Sequence, residues 1–537
     1  MVFKTLSEVS IKRKRMAEKE TLYLTEFKHN VENQDIIKGL VILNELPEML
    51  PDTRLKVLAV LQDSPESYYL LLLSEFFALK TDDLSQHPEL VELTKENLRK
   101  RPEQANWFPS KTACTLLLQL LDEIEDEAKM ADLILTLGEI EAIDAVNPLS
   151  EYLYSGSWIL TKNSIHSLGQ IGTKHAVLHL ISRLGSDEKI DICILEALAK
   201  TGKQRAYKAL TDYLGSPNAS SRTRAKELLV DLGKLALPFL YENLTRSDPD
   251  ILIHTLNVLG SIGDDQAAKP IRQFLVKSSG NANVRFAAYE ALGYIKMPGG
   301  SFVLATGLED EDIGVRTASA KAIDRNFDMI LDQGIRNMLR AQDEASRELI
   351  KIFIDAEALK VVSALTDHPF FKKNALEYLE KHAHREIKQQ FLPYLKEHLG
   401  ENHPALQDLM VETEKPASKL TIWAVDDSRM ILRMYRSMLH DLGYDSVNFE
   451  FPKQLCERIQ SERPHIIFTD LNMPKITGIE LAKFVRKTHS QEDLPIIMAT
   501  TQTENEDHIE AVKAGINMII KKPFTKKLLQ ESIDKVS

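Results

Sequence analysis

Six short segments recur along the middle of this chain at a nearly constant interval. They are LGEIE at Leu137, LGQIG at Leu168, LAKTG at Leu198, LVDLG at Leu229, LGSIG at Leu259 and LGYIK at Leu292. Successive leucines lie 31, 30, 31, 30 and 33 residues apart. After most of them comes a short turn and then a second apolar helical pattern, as in HAVLHLISRLGS, RAYKALTDYLGS, LALPFLYENLTRS and QAAKPIRQFLVKS. Gly, Ser, Asp or Asn closes each unit, the chemistry common at helix C-termini. One unit is therefore a helix, a tight turn and a second helix. Two short helices cannot bury an apolar stripe alone, but a side-by-side stack can, so each unit leans on its neighbours. Runs rich in Val and Ile at period two are absent here, which excludes alternating βαβ units. The repeated leucines are core residues, since apolar spacing at i, i+3 and i+4 needs no other cause.

This pattern resembles the short HEAT-like repeats, including those of phycobilisome lyases, and the resemblance spans residues 111–326. It implies an all-α helical-repeat solenoid used as a scaffold or partner-binding surface. Residues 1–110 carry helical patterns without a clean repeat (IIKGLVILNEL, YYLLLLSEFFAL) and read as degenerate repeats or a cap. Residues 327–396 read as C-terminal helical repeats or a cap, through MILDQGIRNMLRAQ and ELIKIFIDAEALKVVSAL. Residues 397–418 turn polar and read as a linker.

The net charge of −12 opposes a broad nucleic-acid surface, which needs clustered positive charge to displace counterions, and opposes docking on anionic lipid. The KRKR run at Lys12–Arg15 sits beside Glu18 and Glu20 and reads as a solvated face. No apolar stretch is long enough to span a bilayer; the nearest, Tyr68–Leu79, is interrupted by Ser74 and Glu75. Cys114, Cys193 and Cys456 are scattered without CxxC or CxH spacing, which points to a reducing compartment and neither a disulfide frame nor a zinc site. The N-terminus lacks the apolar core of a signal peptide. The expectation is a cytoplasmic protein with no nucleic-acid partner and no membrane insertion.

After the linker the periodicity changes. LTIWAV, HIIFTDL, PIIMAT and MIIKK are short apolar runs, SVNFEF fits one more strand, and helical segments alternate with all of them. That alternation predicts a doubly wound parallel sheet over 419–537. Ligands of such sheets collect beyond the carboxyl ends of the strands. Polar residues lie at those ends: Asp426 and Asp427 after the first strand, Asp470 after the third, Thr500 after the fourth and Lys522 after the fifth. Three carboxylates together repel one another, and a hard divalent cation relieves this; Mg²⁺ suits carboxylate and carbonyl oxygens. Asp470 then stays ionised as a nucleophile toward a phosphoryl group, with Lys522 and Thr500 supplying an ammonium and a hydroxyl to its oxygens.

These residues resemble the receiver domain of response regulators, above all the single-domain chemotaxis regulators. The Asp-Asp pair, DLNMP, the threonine after the fourth strand and KPF occur in the right order and separation. The resemblance implies a flavodoxin-like (βα)5 fold with a five-stranded parallel sheet. It also implies Mg²⁺ held by Asp426, Asp427, Asp470 and the Asn472 carbonyl, phosphorylation of Asp470 by a histidine kinase, and phosphoryl contacts from Thr500 and Lys522. The peptide before Pro523 is usually cis in that family. Ile519 stands where the family usually has Tyr or Phe, and Thr501 where a smaller residue is common.

The expected function is that of a non-enzymatic two-component response regulator whose output is protein binding by the solenoid. A receiver-controlled, lyase-like HEAT enzyme is the alternative, opposed by the absence of a nucleophile constellation. A nucleic-acid-binding helical array is another, opposed by the acidic balance.

Overall fold

The computed structural model describes residues 18–79, 87–277, 280–297, 301–381, 383, 385–399, 420–471, 473, 476–500, 505–522 and 524–537. The KRKR run, Asn472, Thr501 and Pro523 fall outside these. The chain divides into two compact units, Met1–Ala206 and Tyr207–Ser537.

Among its described residues the first unit consists of helices joined by short turns, with no strand. Its early helices are Ile36–Asn44, Pro51–Gln62, Glu66–Leu79, Pro88–Lys100 and Ser110–Glu123. The leading helices of the repeats, Glu127–Glu139, Trp158–Ile171 and Glu188–Lys200, then stack in sequence order. In the second unit Ala219–Leu232, Pro249–Ile262, Ala282–Tyr294, Ile313–Arg325, Glu344–Asp355 and Pro369–Lys381 stack the same way. All six repeat leucines are buried completely. Ile323 and Phe353, also fully buried, extend the period beyond Leu292.

The repeated glycines have two separate causes. The residue after the leucine lies where neighbouring leading helices approach most closely. A Cβ at Gly169 would stand 2.9 Å from the Ala197 Cβ, and one at Gly260 would stand 2.8 Å from the Ala291 Cα. Helices at that separation tolerate only small residues on both sides. The fourth residue after the leucine ends the helix at positive φ, 55° for Gly172, 68° for Gly202, 54° for Gly233 and 68° for Gly263. Glutamate holds that place at Glu141 (51°) and Glu357 (56°).

A residue with a Cβ loses roughly 1 kcal/mol in this conformation relative to glycine. Glu141 is exposed. Glu141→Gly is therefore expected to raise the stability of the first unit by about 1 kcal/mol. Urea denaturation checks this, and an unmoved midpoint would remove the cap explanation.

The helix Arg385–Leu399 runs through the first residues of the segment read as a linker, because LKEHL keeps helix formers up to Gly400. Among the described residues no helix is long and apolar enough to cross a membrane.

The C-terminal part of the second unit is a parallel sheet: β1 Thr421–Val425, β2 Asp445–Phe449, β3 Ile466–Asp470, β4 Ile496–Thr500 and β5 Met518–Lys521. Its order is β2-β1-β3-β4-β5. β3 and β4 are buried along their whole length, as strands covered on both faces must be. The helices Arg429–Asp441 and Lys526–Val536 cover one face, through Leu432, Tyr435, Leu439, Leu529 and Ile533. Pro452–Arg458, Gly478–Val485 and Asn505–Lys513 cover the other, through Leu455, Leu481, Val485 and Ala511. Strand order reverses at β1, which has β2 on one side and β3 on the other. The crevice beyond the carboxyl ends of β1 and β3 is the place where such sheets bind ligands.

Candidate functional site

Four of the five strands, all but β2, end at or beside a polar side chain in that crevice. Asp426 follows β1 directly, and its backbone N–H donates to the Phe449 carbonyl at the end of β2. Its side chain is 1% exposed and accepts from the backbone N–H of Ser428 at 2.9 Å. Ser428 in turn caps the helix Arg429–Asp441. Asp470 ends β3, Thr500 ends β4 fully inside the sheet edge, and the Lys522 N–H donates to the Thr500 carbonyl at 2.9 Å.

The Lys522 ammonium lies between two carboxylates. It donates to Asp426 Oδ2 at 2.5 Å and to Asp470 Oδ1 at 2.7 Å. All three side chains are buried or nearly so. Burial pushes the Asp426 carboxyl up to about 7; Lys522 opposes that shift and Asp470 adds to it. Burial alone would lower the Lys522 ammonium, but the two carboxylates outweigh it and hold it above the ordinary lysine range. Asp427 is half-buried at the same strand end, and its carboxyl is raised by burial, with Lys226 and Arg222 opposing and Asp470 adding. The edge thus carries three acidic side chains against one bridging ammonium.

Among the described residues, no three His, Cys, Asp or Glu side chains stand close enough together to form a metal cage. Lys522 stands between two of the three aspartates. The donor set itself fits a hard divalent cation: three carboxyl groups at the mouth of a buried sheet, two of them sharing one bridging ammonium. Asn472, expected to add a carbonyl, lies outside the described residues.

Sequence reasoning passed over three contributors. Gly478 opens the helix after β3, and a Cβ there would stand 2.1 Å from the Asp470 carbonyl oxygen. Its N–H donates to the Leu471 carbonyl at 2.9 Å, and the Thr477–Glu480 capping box fixes the turn. The T-G pair before an apolar helix was the available signal. Lys226 and Arg222 come from the solenoid, some 200 residues before Asp427, and no spacing rule reaches that far. Ile519 is half-buried and packs against the core on the Leu481 side of the sheet.

Fold and site together define a receiver-type α/β domain carried by a helical-repeat chain. Residues 422–534 match the response regulator receiver domain, and residues 237–324 match HEAT repeats. A chemotaxis protein CheY homolog of Campylobacter jejuni is 38% identical over 119 residues, 22% of this chain and 92% of the relative. Chemotaxis protein CheY1 of Helicobacter pylori is 35% identical over 119 residues, covering 22% and 96%. The solved structure of Vibrio cholerae CheY4 is 32% identical, covers 22% of this chain and all of that one, and has a TM-score of 0.22. Through these C-terminal residues the chain belongs to the response regulator receiver family. Its relatives there are response regulators of two-component systems.

Proposed function

We propose that the chain is a phosphorylation-controlled response regulator in which a histidine kinase phosphorylates Asp470 and the HEAT-like solenoid binds a protein partner as output. The observation that carries this reading is the Lys522 ammonium set between Asp426 and Asp470. A cation already fixed beside the nucleophile needs no rearrangement when charge develops on transferring oxygens. An Asp470 oxygen attacks phosphorus, the P–N bond of the kinase phosphohistidine breaks, and the imidazole leaves with a proton. Lys522 holds one phosphoryl oxygen, and the Thr500 hydroxyl at the end of β4 donates to another. Asp426, Asp427, Asp470 and the Asn472 carbonyl would hold Mg²⁺, which supplies positive charge to the same oxygens. Ile519 is β-branched and stiff at χ1, so the readout runs through Thr500 and not through a rotating ring in β5.

Incubation with Mg²⁺ and acetyl phosphate is expected to give one base-labile adduct on the intact chain. Asp470→Ala should lower the labelling to background, at least 100-fold in rate, while Thr500→Ala still accepts phosphate. Intact-mass measurement decides this, and an adduct of equal stoichiometry on Asp470→Ala would overturn the assignment.

A further inference from the structure

The receiver helix Arg429–Asp441 is covered on two sides. Leu432, Tyr435 and Leu439 are buried against the sheet. Arg433, Met434 and Arg436, which point away from that core, are half-buried as well. Repeat helices lie on that second side. Arg436 Nη1 donates to Glu357 Oε1 at 3.0 Å. The Arg433 guanidinium lies 5.4 Å from the centre of the Phe286 ring. Glu290 follows Phe286 by one turn on the helix Ala282–Tyr294. Burial lowers the Arg433 guanidinium, and Glu290 and Glu357 oppose this. The helix also packs on Ile313–Arg325. Two arginines one turn apart therefore meet an aromatic ring and two carboxylates. Arginine suits such a surface, since its planar fork both stacks on rings and pairs with carboxylates.

The repeat side of this contact is fixed within the repeats themselves. The Glu357 carbonyl accepts from Lys321 Nζ at 3.0 Å, and the same ammonium stands 4.0 Å from Glu357 Oε2. Glu357 keeps φ at 56° where other repeats have glycine. A strained backbone retained with such a partner points to a role for the side chain. The fit on the receiver side is incomplete. Arg433 Nη1 and Glu290 Oε1 are both buried without a hydrogen-bond partner among the described residues. Buried polar groups left unpaired cost free energy, which is recovered when the contact opens. The helix also starts at the acidic edge. Its cap, Ser428, donates its N–H to Asp426 Oδ1 at 2.9 Å, so a change at that edge reaches the docked helix.

We propose that the repeat face carrying Phe286, Glu290 and Glu357 is a docking site for a helix with two arginines one turn apart, held in this chain by the receiver's own helix and freed for the output partner when that helix leaves. The inference rests on reading the repeats as the protein-binding output, and it adds the chemistry of the partner. A tethered occupant acts at an effective concentration on the order of millimolar. It therefore masks the site from an untethered competitor of micromolar affinity by about tenfold or more.

Fluorescence anisotropy on the full chain tests this. The probe is a fluorescein-labelled peptide of residues 428–442, cross-linked as a helix through the positions of Tyr435 and Leu439, which face the sheet. Arg433→Ala with Arg436→Ala, which loosens the tethered helix, is expected to bind the probe about tenfold or more tightly than wild type. Adding Glu357→Gln should cancel most of that gain, and Arg436→Ala alone should act in the same direction by less. A probe with alanine at both arginine positions should bind neither chain. Affinities within about twofold for wild type and the double variant would overturn the masking. Equal binding of the arginine-free probe would overturn the arginine recognition. Acetyl phosphate labelling of Asp470 in the double variant checks its folding: a variant that takes phosphate like wild type and binds no probe overturns the proposal. Absence of labelling in the wild type would instead sink the phosphorylation reading, whatever the probe does.

Discussion

Gly478→Ala is expected to destabilise the receiver by about 3 kcal/mol and to abolish phosphate acceptance on Asp470. The added Cβ would meet backbone on one side and core on the other. It would stand 2.1 Å from the Asp470 carbonyl oxygen, 3.0 Å from its carbonyl carbon and 3.2 Å from Thr469 Oγ1. None of these is the free end of a flexible side chain, so the turn must move as a body. That turn is tied at both ends, by the Gly478–Leu471 backbone bond and by the Thr477–Glu480 capping box. Moving it displaces Asp470 from Lys522, which needs contact at 2.7 Å. Amide hydrogen exchange of β3 in the full chain measures the loss. Ile476→Ala, which trims a partly buried side chain two residues earlier, should cost clearly less. Wild-type protection of β3 in Gly478→Ala would show that the close approach is not a constraint.

How far the sequence alone reached can be judged at particular residues. The leucine period and the alternation after 419 gave both folds, because each is a local pattern that burial enforces at every turn. The strand-end acids were legible for the same reason: a parallel sheet has only one edge where Asp426, Asp470, Thr500 and Lys522 can meet. The sequence pattern assigned the repeat leucines to the core and left the glycine beside them without a role. Gly169 and Gly260 answer to a neighbouring helix 30 residues on, a contact that no window of sequence contains. Glu357 looked like an ordinary charged residue of a degenerate repeat. Only its left-handed backbone and its bond to Arg436 set it apart, and both are tertiary facts.

The acidic edge itself carries the second large effect. Asp426 is 1% exposed, and among the described residues its hydrogen-bond partners are Lys522 and the Ser428 N–H. Asp470 shares that ammonium, and Asp427 adds a third acidic group at the same edge. A buried carboxylate with a shared partner costs stability that a neutral isostere does not. Asparagine at 426 keeps an oxygen for the Ser428 N–H while removing one charge from the cluster. Asp426→Asn is therefore expected to raise the stability of the divalent-cation-free chain by about 2 kcal/mol at neutral pH. The same change removes a cation ligand, so the stabilisation that millimolar Mg²⁺ gives the wild type should fall to near zero. Two denaturation series, with Mg²⁺ and with a chelator, separate the effects: the variant should win under chelator and lose its advantage as Mg²⁺ rises. A purely structural aspartate predicts the opposite order, with Asp426→Asn less stable in both. That result would mean the Lys522 pairing is worth more than the charge it neutralises. The edge would then be an ordinary buried ion pair, and not a site kept strained for a cation and a phosphoryl group.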